Sequence, residues 1–321
     1  MEFNEAEPVA FRKEPGNGAS KGFVQMNFSR KPNTFSLYLK GIFARHQGLR
    51  PGEKLPAMKA HWRDFRIDPV HLKKVSALCS LYPGKTMPLI YPLTVLFPLH
   101  MSTIARGEFP LLYLRMLHVR DHLLQHRPVD VGEKMEISCM ITGQRVIPKG
   151  SEFDIHSIMS SSGEPVWEGI STNFFPGSFG EPGQSSPLAQ FDPMPDQCST
   201  VRWMMPEGKG FRFGLLTGDY NGIHYLAPYA RMLGFKRDFM HAQRSLAECL
   251  RALPPVEGDN PMRLDVAFKG PVYYGTSALM KYTAIKGGFR FDLHTDDDER
   301  PCVTGNVFKP QNGVNLTKSP A

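Results

Sequence analysis

The chain has 321 residues, enough for two domains of ordinary size, and its 41% hydrophobic and 21% charged content is typical of soluble globular proteins. Its longest apolar stretch, 88–99, contains three prolines and is shorter than the roughly 20 apolar residues of a membrane-spanning helix, so no span is expected. The net charge is +7, and because the basic residues are dispersed and form no stripe, we expect no nucleic acid as a partner.

The cysteines and the N-terminus predict a cytoplasmic protein. The five cysteines are scattered without close pairs, so neither a disulfide framework nor a zinc site is expected; they are Cys79, Cys139, Cys198, Cys249 and Cys302. The segment 1–7 is acidic and has no apolar stretch, so no secretory signal is predicted. Both observations fit a reducing cytosol.

The first half of the chain predicts a flexible arm, 1–34, followed by an N-terminal unit, 35–175. Within this unit, 35–80 mixes short apolar runs with basic residues and predicts no definite element. The segment 88–104 predicts a proline-bent entry into a helix, because Leu93, Leu96, Phe97 and His100 have helical spacing. Runs of β-forming residues separated by glycines then predict strands at 111–119, 134–142, 152–159 and 166–173.

The second half begins after 176–197, which is rich in Pro, Gly and Ser and predicts a linker. A second unit is expected at 198–310, with a short tail at 311–321. In the segment 243–253 an apolar face recurs at helical spacing, which predicts a helix with one buried side. Strands are predicted at 263–269, 277–284, 289–294 and 302–308.

Three short segments recur in the same order in both halves. The matched pairs are 128–132 with 271–275, 153–156 with 291–294, and 165–169 with 301–305. Three matches in register indicate an internal duplication. Each copy would be one helix followed by about four strands, which is an α+β architecture.

The stretch 217–224 concentrates acid–base chemistry. An acid, an amide and an imidazole, Asp219, Asn221 and His224, fall within six residues. Asp219 and His224 are five residues apart, so a regular helix would not bring them onto one face. Gly218 and Gly222 predict a bent segment that curls both side chains toward one water. Such a pair provides general acid–base catalysis without a metal or a covalent nucleophile.

This stretch resembles the signature of the MaoC-like hydratases, which are (R)-specific enoyl-thioester hydratases and 3-hydroxyacyl-thioester dehydratases. Their pattern is Ser-Gly-Asp-x-Asn-Pro-x-His, an alanine-containing turn, Gly-Phe, and His-Gly at a helix start. Here 217–224, Ala230, 234–235 and 241–242 fill these places, with Gly222 in place of proline and Ala242 in place of glycine. The close match covers about 200–310. The resemblance implies a tandem (double) hotdog, with two antiparallel sheets, each wrapped around a central helix.

The family's chemistry implies reversible hydration of trans-2-enoyl thioesters to (3R)-hydroxyacyl thioesters, on coenzyme A or an acyl-carrier protein, as in fatty acid metabolism and without a cofactor. Asp219 and His224 would act as acid and base, Asn221 would orient the water or a catalytic side chain, and the N–H of Ala242 would stabilise the oxyanion. The remaining expected substrate contacts, several of them to phosphates, are Lys236, Arg237, Arg244 and Tyr220.

The two copies differ where the chemistry would lie. Only the second copy has the signature, so we expect one active centre, with the segment 91–99 of the first copy as a wall of the acyl pocket. His241 precedes the second helix and is expected to pack or cap.

Alternatives remain open at this point. They are a thioesterase of the same fold and a weakly catalytic acyl-thioester binding protein. Taken one at a time, Asp219 and Asn221 could be turn residues and His224 a core histidine. A homodimer of the whole chain is also open.

Overall fold

The computed structural model describes residues 23–81, 85–183, 185–256, 261–296, 298–310 and Leu316. In these residues the chain forms six α-helices and eleven strands. The helices are α1 (Thr34–Phe43), α2 (Pro69–Cys79), α3 (Pro92–Ile104), α4 (Gly210–Thr217), α5 (Ala227–Met232) and α6 (Ala242–Ala252). The strands are β1 (Phe23–Phe28), β2 (Ala57–Arg66), β3 (Leu117–Gln125), β4 (Lys134–Ile147), β5 (Gly150–Ser161), β6 (Glu164–Pro176), β7 (Ser199–Met204), β8 (Met262–Phe268), β9 (Ser277–Ile285), β10 (Gly288–Thr295) and β11 (Val303–Phe308).

The strands form one continuous sheet instead of two separate ones. Its order is β1-β2-β4-β5-β6-β3-β8-β11-β10-β9-β7. The two halves meet edge to edge where β3 pairs antiparallel with β8, with Asp121 opposite Val266 and Leu123 opposite Leu264. Joining the halves in this way leaves neither of these two strands as an exposed edge.

Each half has the same strand order. If β2 and β7 are each counted as the first strand of their half, leaving out β1, both halves have the order 1-3-4-5-2. These orders are β2-β4-β5-β6-β3 and β7-β9-β10-β11-β8. The central helix, α3 or α6, follows the first strand in each case. The recurring segments also match in three dimensions, since Asp154 of β5 and Asp292 of β10 each accept a hydrogen bond from a threonine on the next strand. The expected α+β double hotdog is confirmed.

The central helices differ in how they are buried. Apart from half-buried Phe97 and His100, α3 is buried all round, with Leu96, Leu99 and Met101 at 1% exposure or less, as expected of a helix inside a core. In α6 the consecutive residues 244–249 are also buried all round, but they include the polar Arg244 and Glu248, so the predicted helix with one buried side is wrong. No helix in the described part of the chain is long and apolar enough to cross a membrane.

Several strand and helix predictions need correction. The strand predicted at 111–119 begins only at Leu117, after the 3₁₀ turn Tyr113–Arg115. The predicted arm contains β1, which pairs parallel with β2, so 23–28 is part of the sheet. The unassigned segment 35–80 contains α1, β2 and α2. Asn33 and Asp68 cap these two helices by accepting hydrogen bonds from Ser36 and Val70, a signal the apolar periodicity does not carry.

The predicted linker lies between β6 and β7 and contains the 3₁₀ turn Pro187–Ala189. Residues 1–22 of the predicted arm and nearly all of the predicted tail lie outside the described residues.

Candidate active site

The signature stretch lies between α4 and α6 and bends at Gly218. This residue has φ +86 and ends α4 in the left-handed conformation that glycine accepts readily. A Cβ at Gly218 would also collide with the side chain of Thr34 on α1, so the chain approaches α1 closely here. The following 3₁₀ turn, Gly222–His224, then points His224 back toward Asp219.

Asp219 is held in place by two hydrogen bonds to one carboxylate oxygen. Its Oδ1 accepts from the Tyr38 hydroxyl at 3.0 Å and from the backbone N–H of Asn221 at 3.1 Å. Its Oδ2 lies 3.9 Å from Nε2 of His224 and 3.9 Å from Nε2 of His241. One oxygen therefore positions the carboxylate, and the other faces two imidazoles.

The hydrogen-bond partner of His224 determines its tautomer. Nδ1 lies 3.0 Å from the carbonyl oxygen of Phe239, and because a carbonyl only accepts, Nδ1 carries the hydrogen. Burial lowers the pKa of His224, against the opposing effect of Asp219, so the ring is neutral near pH 7. Nε2 then presents a lone pair to Oδ2 of Asp219. Two acceptors at this separation can share one water that donates a hydrogen to each.

His241 lies inside the site. It precedes α6 as its N-cap residue, but its side chain makes no capping hydrogen bond. Its ring stacks on His224 with centroids 3.8 Å apart and packs on Phe213. Within the described part of the chain neither ring nitrogen has a hydrogen-bond partner. Burial, followed by repulsion from the His224 imidazole when that ring is protonated, lowers the pKa of His241 well below the usual range. The expectation of packing is thus met, but within the site; the capping role is wrong.

Asp219, His224 and His241 also form the set that could hold a metal ion. One potential ligand atom from each lies within 4.8 Å of the others. Two imidazoles and a carboxylate are ligands that divalent transition metals accept. The same lone pairs are the ones that would hold a water.

A cavity of about 360 Å³ opens beside these residues and is lined by both halves of the chain. The N-terminal half contributes one side of α3, including Leu93, Phe97 and Met101, and the C-terminal half contributes Phe239 and Met240 among others. Only part of the predicted wall segment 91–99 faces the cavity. Tyr91 is instead buried in the core, where its hydroxyl forms a hydrogen bond with the ring of His71.

The first half also brings polar groups into this cavity that the sequence did not single out. His118 lies 2.9 Å from the buried carboxylate of Asp121, which also accepts from Ser171. Burial works to lower the pKa of His118, but the charge and hydrogen bond of Asp121 outweigh it and raise the pKa. His118 therefore carries part of its positive charge near neutral pH, and Asp219 acts on it electrostatically across the cavity.

Tyr38 was also missed, because it lies 181 positions before Asp219, in a segment for which the sequence predicted no definite element. Burial, with the nearby Asp219, raises the pKa of Tyr38 well above its usual value, so the phenol remains a donor. The capping residue Asn33 predicts the helix that carries Tyr38, but no local signal points it at Asp219.

Ala242 lies at a helix start, and its role as oxyanion donor stays a prediction. Ala242 is the first residue of α6 and lines the cavity. The first N–H groups of a helix have no acceptor within the helix, so the N–H of Ala242 can serve a ligand. Asn221 also lines the cavity, but its Oδ1 accepts from the N–H of Ile223 and caps the turn before His224. The side chain of Asn221 therefore stabilises the turn before His224, and its backbone N–H donates to the carboxylate of Asp219.

The residues predicted to contact phosphates differ in their exposure to solvent. Arg244 is 1% exposed, donates to the carbonyl of Gly208 and lies over the Tyr274 ring, so it is a core residue and does not contact substrate phosphates. Lys236 and Arg237 are exposed.

Tyr220 does not line the cavity and instead packs on Tyr38 with ring centroids 6.0 Å apart. Lys269 lines the cavity and is exposed, and the sequence did not single it out.

Comparison with known proteins supports the same family. No protein-family model matches the chain. The curated 3-hydroxyacyl-thioester dehydratase X of Mycobacterium tuberculosis is 24% identical over 256 residues, which are 79% of this chain and 90% of that protein. The crystal structure of HtdX from the same organism superposes with a TM-score of 0.64 at 22% identity, covering 78% of this chain and 98% of that one.

A MaoC-like dehydratase from Phytophthora capsici superposes with a TM-score of 0.63 at 15% identity, covering 81% of this chain and 96% of that one. At this level of identity the solved structures establish the fold. The curated relative extends the similarity to sequence. The chain is thus similar over most of its length to MaoC-like dehydratases and has their double hotdog fold, as the signature at 217–242 predicted.

Proposed function

We propose that the protein is a hydro-lyase that reversibly hydrates trans-2-enoyl thioesters to 3-hydroxyacyl thioesters. One observation carries the proposal: the Nε2 lone pair of His224 and Oδ2 of Asp219 face each other at 3.9 Å beside a largely apolar cavity. A water held between two acceptors has its oxygen lone pairs free to attack. The name of the M. tuberculosis relative, a 3-hydroxyacyl-thioester dehydratase, supports the same reaction class.

In the hydration direction, neutral His224 accepts a proton from the water while the water oxygen bonds to the β-carbon. The π electrons of the double bond move to the α-carbon and onto the thioester oxygen. The N–H of Ala242 donates to that oxygen as its negative charge develops. The imidazolium of His224 then returns the proton to the α-carbon, so that one water has been added. Asp219 orients the water and stabilises the imidazolium. Dehydration is the reverse.

The thioester is carried by coenzyme A or an acyl-carrier protein, and the apolar side chains of α3 and Phe239 contact the acyl chain. The (3R) configuration of the product follows from the resemblance. The enzyme acts in the cytoplasm, in the metabolism of fatty acyl thioesters.

Incubation with crotonyl-CoA tests the proposal. Loss of enoyl absorbance with appearance of a 3-hydroxybutyryl thioester is the expected result. Release of free thiol would instead indicate a thioesterase, and tight binding without turnover would indicate a binding protein.

The substitutions Asp219→Asn and His224→Ala should each reduce turnover by roughly 10²–10⁴-fold, the usual contribution of a positioned acid or base. Matched changes at the surface, Asp64→Asn and His61→Ala, should leave it unchanged. If either site variant folds normally and retains full turnover, that residue has no part in the mechanism.

A further inference from the structure

Large apolar side chains are exposed mainly on three helices next to the site. Of the thirteen exposed large hydrophobic residues in the described part of the chain, nine lie on α1, α4, α5 and the residues directly adjoining α5. We call these nine the apolar helical face. They are Phe35, Leu39, Ile42, Phe43, Phe211, Leu215, Leu226, Met232 and Leu233. Contiguous exposed apolar surface marks an interaction site in soluble proteins.

The helix α1 exposes its apolar side chains, whereas a surface helix normally buries them against the core. Phe35, Leu39 and Ile42 follow the i, i+4, i+7 spacing of one stripe, yet this stripe is exposed, and Phe43 is 83% exposed. The other side of α1 faces the protein, where Tyr38 reaches Asp219 and Gly41 packs on Tyr113. The exposed stripe therefore has no partner within the described residues.

The residues that flank α1 and α5 contact α4 or the signature stretch. The amino group of Lys31, just before α1, donates to the carbonyl of Leu216 on α4. On the same helix as Leu216, the ring of Phe211 packs against Tyr225, with centroids 5.2 Å apart. Leu226 then lies against Gly222. The apolar helical face is thus continuous with the elements that position Asp219 and His224.

All ionised side chains in these segments are basic. The segments 30–48, 209–217 and 223–237 contain nine lysines and arginines and neither Asp nor Glu, although the whole chain has 38 basic and 31 acidic residues. All nine are exposed: Arg30, Lys31, Lys40, Arg45, Lys209, Arg212, Arg231, Lys236 and Arg237. Two copies of such a face would repel each other, so this charge argues against a second copy as the partner.

We propose that the apolar helical face docks on an anionic lipid surface, with α1 lying in the headgroup region. Peripheral helices bind membranes through apolar side chains on one face combined with lysine and arginine that attract anionic lipids. Both signals are present here. Nine bulky apolar side chains exceed what a purely electrostatic contact requires, which favours lipid over an acidic protein. Docking would place the site beside a bilayer that holds long acyl chains.

Co-sedimentation of the full chain with vesicles tests this inference without measuring catalysis. Binding is expected to vesicles that contain phosphatidylglycerol, with weaker binding to phosphatidylcholine alone. The charged contribution should fall as the salt concentration rises from about 0.1 M to about 1 M, because the Debye length shrinks from about 10 Å to about 3 Å.

Two double substitutions on the face, each with a matched control elsewhere, separate the apolar contribution to vesicle binding from the charged one. Phe35→Ser with Phe43→Ser should weaken vesicle binding by about tenfold or more, since two large apolar side chains no longer leave water. Val70→Ser with Met204→Ser removes exposed apolar side chains elsewhere and should change nothing. Lys40→Glu with Arg212→Glu should abolish binding at low salt, while Lys54→Glu with Lys73→Glu should not. The Phe35 and Phe43 variants should retain turnover of crotonyl-CoA in solution.

Three results would overturn the inference. The first is no binding to anionic vesicles, including the case in which an acidic carrier protein binds instead. The second is vesicle binding that the Phe35 and Phe43 substitutions leave unchanged. The third is a dimer in sedimentation velocity that these substitutions dissociate, which would assign the face to self-association.

Discussion

At the residue scale, the site depends on which lone pairs are already engaged. Oδ1 of Asp219 accepts from Tyr38 and Asn221, and Nδ1 of His224 donates to Phe239, so Oδ2 and Nε2 are left to face each other. A protonated His224 would instead pair directly with the carboxylate. Burial, which disfavours this charged form, therefore keeps the proposed base available.

The acid limb of the pH profile tests this assignment. His224 must be neutral to act as a base, and burial lowers its pKa from the ordinary value of 6.5. Activity should therefore persist as pH falls through 6.5 and decline only at lower pH, as measured by kcat/KM for crotonyl-CoA. The pKa of His118, in the same cavity, is raised, so a His118→Asn variant should keep this limb. An acid limb centred above 6.5 that survives in His118→Asn would contradict the role of His224.

Ala242 is one of the two residues, with Gly222, at which the chain departs from the family pattern, and it lines the cavity. A backbone N–H at a helix start donates whatever its side chain, so the methyl group changes only the space near the thioester. We expect Ala242→Gly to change kcat/KM by less than about tenfold in either direction. Losing an oxyanion donor outright costs roughly 2.7–4 kcal/mol. A hundredfold gain would therefore mean that the present protein barely uses this donor, and would favour a binding protein over an enzyme.

At the scale of elements, the helix α1 of the N-terminal half brings a hydrogen-bond donor to the acid–base residues of the C-terminal half. Its Tyr38 hydroxyl is one of the two donors to Oδ1 of Asp219, and its ring packs at an angle on Tyr113 and Tyr220. The same helix therefore carries both the tyrosine that positions the Asp219 carboxylate and the exposed apolar residues of the proposed docking surface. Tyr38 acts through Asp219 and is therefore a positioning residue.

Tyr38→Phe removes that donor while keeping the ring. Hydrogen bonds to charged groups contribute about 1.5–3 kcal/mol, so kcat should fall by roughly 10–100-fold. KM should change little, because the hydroxyl is engaged by Asp219. Tyr113→Phe is the matched control: its hydroxyl donates to the carbonyl of Tyr38 on the same helix without reaching Asp219. Equal losses in both variants would show that packing of α1 matters and the bond to Asp219 does not.

At the scale of the whole molecule, buried charges hold the joint between the halves. His122 of β3 lies 2.7 Å from Asp265 of β8, and the same carboxylate accepts from Arg263. All three side chains are almost fully buried. The contact with His122 crosses the joint, whereas Arg263 lies on the same strand as Asp265; removing the carboxylate would leave a buried guanidinium without this counter-charge.

Asp265→Ala should therefore lower the free energy of unfolding by roughly 3–5 kcal/mol, the usual cost of removing one partner from a buried pair. Glu108→Ala, which removes the partner of Arg106 in an exposed pair, should cost under about 1 kcal/mol. Chemical denaturation of both variants measures the difference. Equal, small losses would show that the joint is stabilised by backbone pairing and apolar packing alone.

Much of the fold follows from local patterns. The helix predicted at 243–253 agrees with α6 to within one residue, and the strands of the second half are close to their predicted bounds. The segments 153–156 and 291–294 predicted the repeat because equivalent strands bury equivalent faces. The error at 111–119 has a local cause as well: the 3₁₀ turn buries Tyr113, and an apolar residue does not by itself show which backbone conformation buries it.

The order of the acid–base residues and the helix start that follows them could be predicted from local patterns, because these features lie within a few dozen residues and obey fixed spacings. Three other features depend on the folded chain: the hydrogen bond from Tyr38 to Asp219, the position of His118 in the cavity, and the burial of Arg244 in the core. These facts depend on which faces of distant elements meet when apolar surface is buried. Local periodicity shows that a helix has a buried face, but not which distant residue that face will contact.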